Sequence, residues 1–552
     1  MSATPGRRAG LLLFAAALAL VLLVFRDYGV TWDEHFHDTY GKAVLRHFET
    51  GFSDRGALTY FNLWLYGAAF DATTALAKRL LPFAPYDTQH LMIALAGLAG
   101  AAAAMRMGML LAGTRAGLLS ALVLLALPSW WGHMFVNPKD IPFAAAMAWA
   151  LYWSMRAVKE APDARAATFV WLGLSLGVSM GIRIAGAYAL VFPAFAFGWD
   201  RLRALKSGGL AETLRGFGRA LLPYAGAAAI AYATMLVFWP WALRDPLHRP
   251  FEAIAVFAAS PWDIRVLFEG ALASSMDLPR DYLLVYLAVK LPLGVLAALA
   301  VATGFAVRAL ARTGLFAARG EALLLAFAIF LPLATFPVLR PITYDGIRHF
   351  LFVLPPLAVA AALGIDAALD AAAGATRTIR TAFAALLVGA FLAHLAQMAA
   401  LHPYQYAFYN ALAGGTGGAS GRFETDYWGS AYREAANALD AFVAKEGGQR
   451  PYTVFVCAEG SSAAPFLTPP LRLAEDDVSA DFYLSTTRLG CDREYDGRTI
   501  VEVGRDGAVF AVVKDRRALA PSERGHRAVT GALVAPRHPG LRKDGTRDPA
   551  LE

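Results

Sequence analysis

The sequence predicts an all-α polytopic membrane protein of about eleven transmembrane helices, with a small C-terminal α/β extracytoplasmic domain. Three observations predict it. Of the 552 residues, 57% are hydrophobic and 17% are charged, against about 45–50% and about 25% in soluble domains. The mean hydropathy is +0.45, which excludes a disordered chain, a collagen and a coiled coil. The basic residues between apolar runs concentrate on one side of the membrane. Two cysteines, Cys457 and Cys491, exclude a disulfide scaffold and a multi-cysteine metal cluster. The net charge of +7 then reads as topology and not as nucleic-acid binding.

The first apolar run, 10–25, follows Arg7 and Arg8. No small-residue cleavage site follows it, so it reads as a retained anchor and not as a signal peptide. The region 60–81 is fairly apolar, yet a crossing there inverts every later loop; a surface-lying or re-entrant pair of amphipathic helices fits. Further runs cover 90–112, 117–136, 141–157, 168–199, 221–240, 283–307, 321–338, 349–366 and 381–401. The 168–199 run is too long for one crossing and carries Arg183, so it splits into two short helices meeting near that residue.

With the N-terminus inside, 199–219 (Arg201, Arg203, Lys206, Arg215, Arg219), 308–320 (Arg308, Arg312, Arg319) and 367–380 (Arg377, Arg380) are cytoplasmic. The outer loop 241–281 has four basic residues against six acidic ones. After 401 no span follows. A helix at 432–445 and strands at 452–456, 499–503 and 508–513 are expected, the last two around the Asp506-Gly507 turn. The expected divisions are a transmembrane domain at 1–401, an α/β domain at 402–520 and a disordered tail at 521–552.

The outer loops hold the chemistry. Asp33-Glu34-His35-Phe36-His37-Asp38 places three carboxylates and two histidines just after the first span. A carboxylate there can serve as a general base toward a hydroxyl. The His35/His37 pair, with Asp33 or Asp38, is the alternative reading as a divalent metal site. Asn137-Pro138-Lys139-Asp140 forms a short outer turn, whose charges also fit snorkelling at a helix end. The turn 340–349 carries Arg340, Tyr344, Asp345, Arg348 and His349. Outward-facing arginines oppose the positive-inside bias and suit a phosphate anion. Lys290 and Arg183, inside apolar runs, belong to the same class of functional charge. Together these imply a cavity at the outer face, carboxylates on one side and cations on the other. A lipid-phosphate donor fits that layout. No GxxxxGK[ST] phosphate loop is present.

These residues resemble the GT-C superfamily of polytopic glycosyltransferases, in particular its family 39-like group of protein O-mannosyltransferases and bacterial aminoarabinose transferases. The resemblance covers about residues 10–400. It rests on Asp33-Glu34 after the first span, Asp140 in the next outer loop, and Arg348 before Pro355-Pro356. The stretches 137–143, 344–355, 402–410 and 421–428 look like a bacterial branch of that superfamily. The resemblance implies a polyprenyl-phosphate-linked sugar donor, inversion at the anomeric carbon, and Asp33 as base with Glu34 as alternate and Asp140 as second acid. The cations Arg348, His349, Lys290, Arg183 and Lys139 are then the donor-phosphate contacts, and Tyr344 and Asp345 face substrate. No cofactor is required apart from the divalent-metal alternative. The acceptor (lipid, glycan or protein) does not carry over, because the tail lacks the β-trefoil-like signature of the eukaryotic mannosyltransferases. The implied location is the bacterial inner membrane, N-terminus cytoplasmic, C-terminal domain periplasmic. A transporter or lipid-carrier flippase is the competing class, marked by paired broken helices in two related halves, and no internal repeat is evident. A non-catalytic assembly factor is a third.

Overall fold

A computed structural model describes residues 5–258, 263–447 and 450–525. The helices follow the Ala-, Leu- and Gly-rich runs and break at Pro, at Gly and at charged turns. α1 (Pro5–Val24) leaves Leu11, Leu12 and Leu23 exposed, as a helix facing lipid does. α2 (Trp32–Glu49) and α3 (Ala69–Leu80) pack on each other and are amphipathic. Of the amphipathic pair expected over 60–81 only α3 lies there, after two 3₁₀ turns at Gly56–Leu58 and Leu63–Leu65; its partner α2 comes from the acidic motif before it.

α4 (Pro85–Ala112), α5 (Thr114–Leu125), α6 (Pro128–Val136) and α7 (Asp140–Glu160) form the buried centre with α15 (below). α5 and α6 are bent by 63°, with Pro128 opening α6. α8 (Ala166–Met180) ends at Gly181, and Arg183 lies in the unwound stretch before a 3₁₀ segment at Ile184–Leu190. The expected break at Arg183 is therefore present. A Cβ on Gly67 would lie 2.1 Å from the Gly181 carbonyl oxygen. Glycine at that crossing lets the outer loop rest directly on the broken helix.

α9 (Val191–Val237) is kinked at Gly209, whose φ is +74°. α10 (Pro240–Leu243), α11 (Arg249–Ala258) and a hairpin of β1 (Arg265–Phe268) and β2 (Ala271–Ser274) fill the outer loop that follows. α12 (Tyr282–Lys290) and α13 (Leu293–Thr313) are separated at Leu291-Pro292, so the expected 283–307 span is broken. α14 (Gly320–Leu339), α15 (Leu354–Ala373, entered through the 3₁₀ segment Arg348–Val353) and α16 (Arg377–Ala400) complete the bundle.

Among the described residues, seven helices are long and apolar enough to cross a membrane, or eight if the bent pair is one span. The sequence count of about eleven also includes α7, α8 and the first half of α9. The 15 residues of α8 span only about 22 Å, short of the ~30 Å hydrocarbon core. The first half of α9 carries Asp200, Arg201, Arg203 and Lys206.

Beyond α16, α17 (Gly415–Ala419) and α18 (Tyr432–Lys445) accompany a five-stranded sheet of order β4-β3-β5-β7-β6. Its strands are β3 (Tyr452–Val456), β4 (Leu471–Leu473), β5 (Phe482–Thr486), β6 (Arg498–Arg505) and β7 (Ala508–Asp515). β3 runs parallel to β4 and β5, and β7 is antiparallel to β5 and β6. Leu439 and Val443 of α18 share a core with Val454, Phe482 and Phe510 of the sheet. Cys457 and Cys491 form a disulfide. The tail expected to be disordered falls, from 526 on, outside the described residues.

The segment between α1 and α2 meets the region after α16. Arg433 donates to the Tyr28 carbonyl at 3.0 Å across 405 residues of sequence. The Tyr28 hydroxyl donates to Gln405 at 3.0 Å, and the Trp32 amide to the Trp428 carbonyl at 3.4 Å.

Candidate active site

Thr31 opens α2 with a reciprocal capping box: its amide donates to Glu34 Oε1 at 2.8 Å and its hydroxyl to the same oxygen at 3.1 Å. Glu34 is thereby fully buried, its second oxygen 3.0 Å from His90 Nε2. Asp33, one residue earlier and about 100° round the helix, turns the other way. Its Oδ2 accepts from Arg348 Nη1 at 2.8 Å, and its side chain is 29% exposed. Of the expected acidic pair, only Asp33 faces the site; Glu34 fixes the helix start behind it.

The histidines diverge. His37 Nδ1 lies 3.0 Å from Asp71 Oδ1, and His35 Nδ1 lies 3.4 Å from the Tyr86 hydroxyl. Asp38 is held by Lys42 and Lys78 at 2.6 and 2.7 Å. The spacing that suggested a metal pair is therefore dispersed by the helix onto separate partners.

Asn137 builds the second corner. Its Oδ1 accepts from the Lys139 and Asp140 amides at 3.2 and 2.8 Å, and its Nδ2 donates to Asp140 Oδ2 at 3.1 Å. Asp140 is buried at the head of α7 and is paired with Arg183 from the unwound stretch after α8. The broken helix thus delivers a cation to a carboxylate. Lys139 Nζ stands 3.0 Å from the Tyr66 ring centre. Burial lowers its pKa to about 7; the Arg183 charge adds to this, and Asp140, Asp33 and Asp71 oppose it.

Arg348 joins these corners to the C-terminal sheet region. Besides Asp33 it contacts Asp345 Oδ2 at 3.2 Å, and its guanidinium lies 4.7 and 4.8 Å from the Tyr344 and Trp428 ring centres. Asp345, at φ +59°, sits in a left-handed turn with Gly346. Its Oδ1 accepts from Arg488 Nη2 at 2.5 Å. Arg488 also approaches Glu424 at 3.5 Å, donates to the Tyr427 carbonyl at 2.9 Å and lies over Trp32 at 5.4 Å. Burial raises the pKa of Asp345, and Arg488 and Arg348 hold it back; burial likewise raises Glu424, against Arg488. His349 packs edge-on to Tyr344 at 4.7 Å.

Carboxylates and cations therefore alternate in one chain, Asp33–Arg348–Asp345–Arg488–Glu424, instead of lining opposite walls. Buried charges survive only when paired, which is why the two-sided arrangement expected from sequence does not form. Lys290 stands behind Glu424, on Tyr409, whose hydroxyl donates to the Glu424 carbonyl at 2.6 Å. It is buried at the end of α12, donates to the Tyr406 carbonyl at 3.0 Å and stacks on Tyr409 at 3.6 Å. That charge ties the broken span to the segment after α16. Arg488, Glu424, Trp32 and Trp428 were not singled out from sequence. Trp32 adjoins the acidic motif, and Glu424 and Trp428 lie in the 421–428 stretch; Arg488 lies in a polar loop with no signal.

No family model and no curated protein matches the chain. Solved structures do. The chain is similar to ArnT from Cupriavidus metallidurans bound to undecaprenyl phosphate, at 15% identity over 93% of this chain and 98% of that one, with a TM-score of 0.51. The apo state of that protein matches at 16% identity over 94% and 99%, with a TM-score of 0.47. The oligosaccharyltransferase AglB from Archaeoglobus fulgidus, in complex with an inhibitory peptide and a dolichol-phosphate, matches at 12% identity over 86% and 69%, with a TM-score of 0.45. The likeness to the lipid-bound structure shows that this chain shares its fold, a bundle of long apolar helices followed by a small C-terminal sheet region.

Proposed function

We propose that the chain is an inverting glycosyltransferase of the bacterial inner membrane. It moves a sugar from a polyprenyl-phosphate donor to an acceptor hydroxyl on a lipid, glycan or protein at the outer face. The observation that carries the reading is Arg348, a buried guanidinium shared between the part-exposed Asp33 and the buried Asp345. The fold supports it, since the similar ArnT structure holds undecaprenyl phosphate.

In this reading the donor phosphate displaces Asp33 from Arg348, which stays anchored by Asp345. Asp33 then accepts the proton of the acceptor hydroxyl as that oxygen bonds to the anomeric carbon. The bond from this carbon to the phosphate oxygen breaks, its electron pair leaving with the phosphate. Arg348, Arg183 and Lys139 balance the phosphate charge, and Asp140 holds Arg183 in place. These bond changes need no oxidant, reductant or nucleotide.

Asp33→Asn tests the reading. It keeps the shape and removes the base, so turnover falls by about 10²–10⁴-fold, while donor binding holds or tightens because a neutral amide competes less for Arg348. Transfer from a synthetic polyprenyl-phosphate sugar, measured in nanodiscs beside donor binding, checks both. Full turnover in the variant removes Asp33 as base.

A further inference from the structure

The end of the bundle away from the site holds a cavity of about 490 Å³ between the last turns of α4 and α7. α7 begins at Asp140 in the site and ends at Glu160 in this cavity. Its 21 residues span about 31 Å, close to the ~30 Å thickness of a hydrocarbon core. The cavity therefore lies about one hydrocarbon thickness from the site, the depth of the opposite membrane face if the site is at the outer one.

Three cations converge there, Arg106, Arg156 and Lys159, against one acid, Glu160. Arg156 donates to Glu160 at 2.6 Å, and Lys159 to the Leu110 carbonyl at the end of α4 at 2.9 Å. Arg106 is exposed and makes no hydrogen bond or ion pair among the described residues. The positive-inside bias scatters cations through loops, whereas these face one hollow whose walls include the apolar Met109 and Leu110. Beside it Trp153 stacks on Trp149 and on the half-exposed Trp171, each at 6.3 Å, and Arg156 lies 5.5 Å from the Trp153 ring centre. Trp153 and Trp149 lie about 10 and 16 Å before the end of α7, at the depth of acyl chains.

We propose that this cavity binds the headgroup of an anionic phospholipid. The three cations take the phosphate, Met109 and Leu110 meet the glycerol and first methylenes, and the tryptophans flank the chains. Basic hollows between membrane helices at this depth suit such headgroups. The site is separate from the proposed catalytic one and does not depend on that reading.

The test is native mass spectrometry of the full-length protein in detergent, titrated with phosphatidylglycerol, cardiolipin or phosphatidylcholine. Wild type retains the anionic lipids over phosphatidylcholine. Arg106→Ala weakens that retention about fivefold, the loss expected for one cation near a lipid surface, and Arg106→Lys restores it. Arg308→Ala, an exposed cation on α13, leaves it unchanged. Arg106 has no internal partner to lose, and an unaltered unfolding temperature confirms that the variant is folded. Equal retention of phosphatidylcholine, or equal effects of Arg106→Ala and Arg308→Ala, overturns the proposal. So does displacement of phosphatidylglycerol by millimolar inorganic phosphate, which makes the site one for a free anion.

Discussion

Lys139 is a cation of the proposed donor site whose charge changes within the working pH range. Its pKa is depressed to about 7 by burial, with Arg183 adding to the effect. Below that pH it is an ammonium; above it the donor-free protein increasingly holds a neutral amine. As a cation for the donor phosphate, it should therefore bind donor more weakly as pH rises through about 7, by at most about tenfold per pH unit. Lys139→Arg, charged throughout, should flatten that dependence, and donor affinity measured between pH 6 and 9 checks it. Stability runs the opposite way: a lysine pKa lowered by folding makes its charged form a cost, fully present below about 7 and relieved toward high pH. At this scale the sequence was legible where position was enough, as for Asp33, Asp140 and Arg348. It was not legible where direction decides. Asp33 and Glu34 are neighbours of the same chemistry, and only the α-helical turn of α2 sends one to Arg348 and the other to His90. Lys290 read as a functional intramembrane charge, but the break at Pro292 turns it onto Tyr406.

At the level of elements, the loop after β5 matters most. Arg488 reaches from it to Asp345, the residue that anchors Arg348, and to Glu424. Arg488→Ala leaves two buried carboxylates short of a cation, at a cost of about 2–5 kcal/mol. Both carboxyls already have pKa values raised by burial, and losing Arg488 raises them further. A carboxyl whose folded pKa exceeds its unfolded one is stabilising when protonated, and that contribution is lost as pH rises through the folded value. The variant's deficit should thus be larger above neutral pH than in mild acid, as unfolding of both proteins in detergent at several pH values will show. A pH-independent deficit would argue for simple loss of packing. Sequence periodicity located α18, β3, β6 and β7. It missed β5, whose five positions are all buried and show no alternation, and β4, three residues long behind Pro469-Pro470. The β1–β2 hairpin was missed too, its four-residue strands being too short for a period.

For the molecule as a whole, the structure separates two charged ends of the bundle. Asp33, Asp140, Arg183, Arg348 and Arg488 gather at one end of the bundle, while Arg106, Lys159 and Arg319 meet the end of α4 at the other. Reporter fusions at Lys206 and at Gly447 should therefore report opposite sides of the membrane; same-side signals would overturn that arrangement. The number of crossings was less legible than their order, because broken and short helices such as α8 and α12 cross only with help from their neighbours. The closure of the first outer segment on the C-terminal region also has a consequence in time. Arg433 grips the Tyr28 carbonyl across 405 residues, and ribosomes add about 5–20 residues per second. The first outer loop thus leaves the ribosome roughly 20–80 seconds before the residues that cover it. During that interval its Trp- and Tyr-rich surface lacks the residues that later cover it, and a chain truncated before Arg433 should leave that loop more open to protease than the full-length protein does.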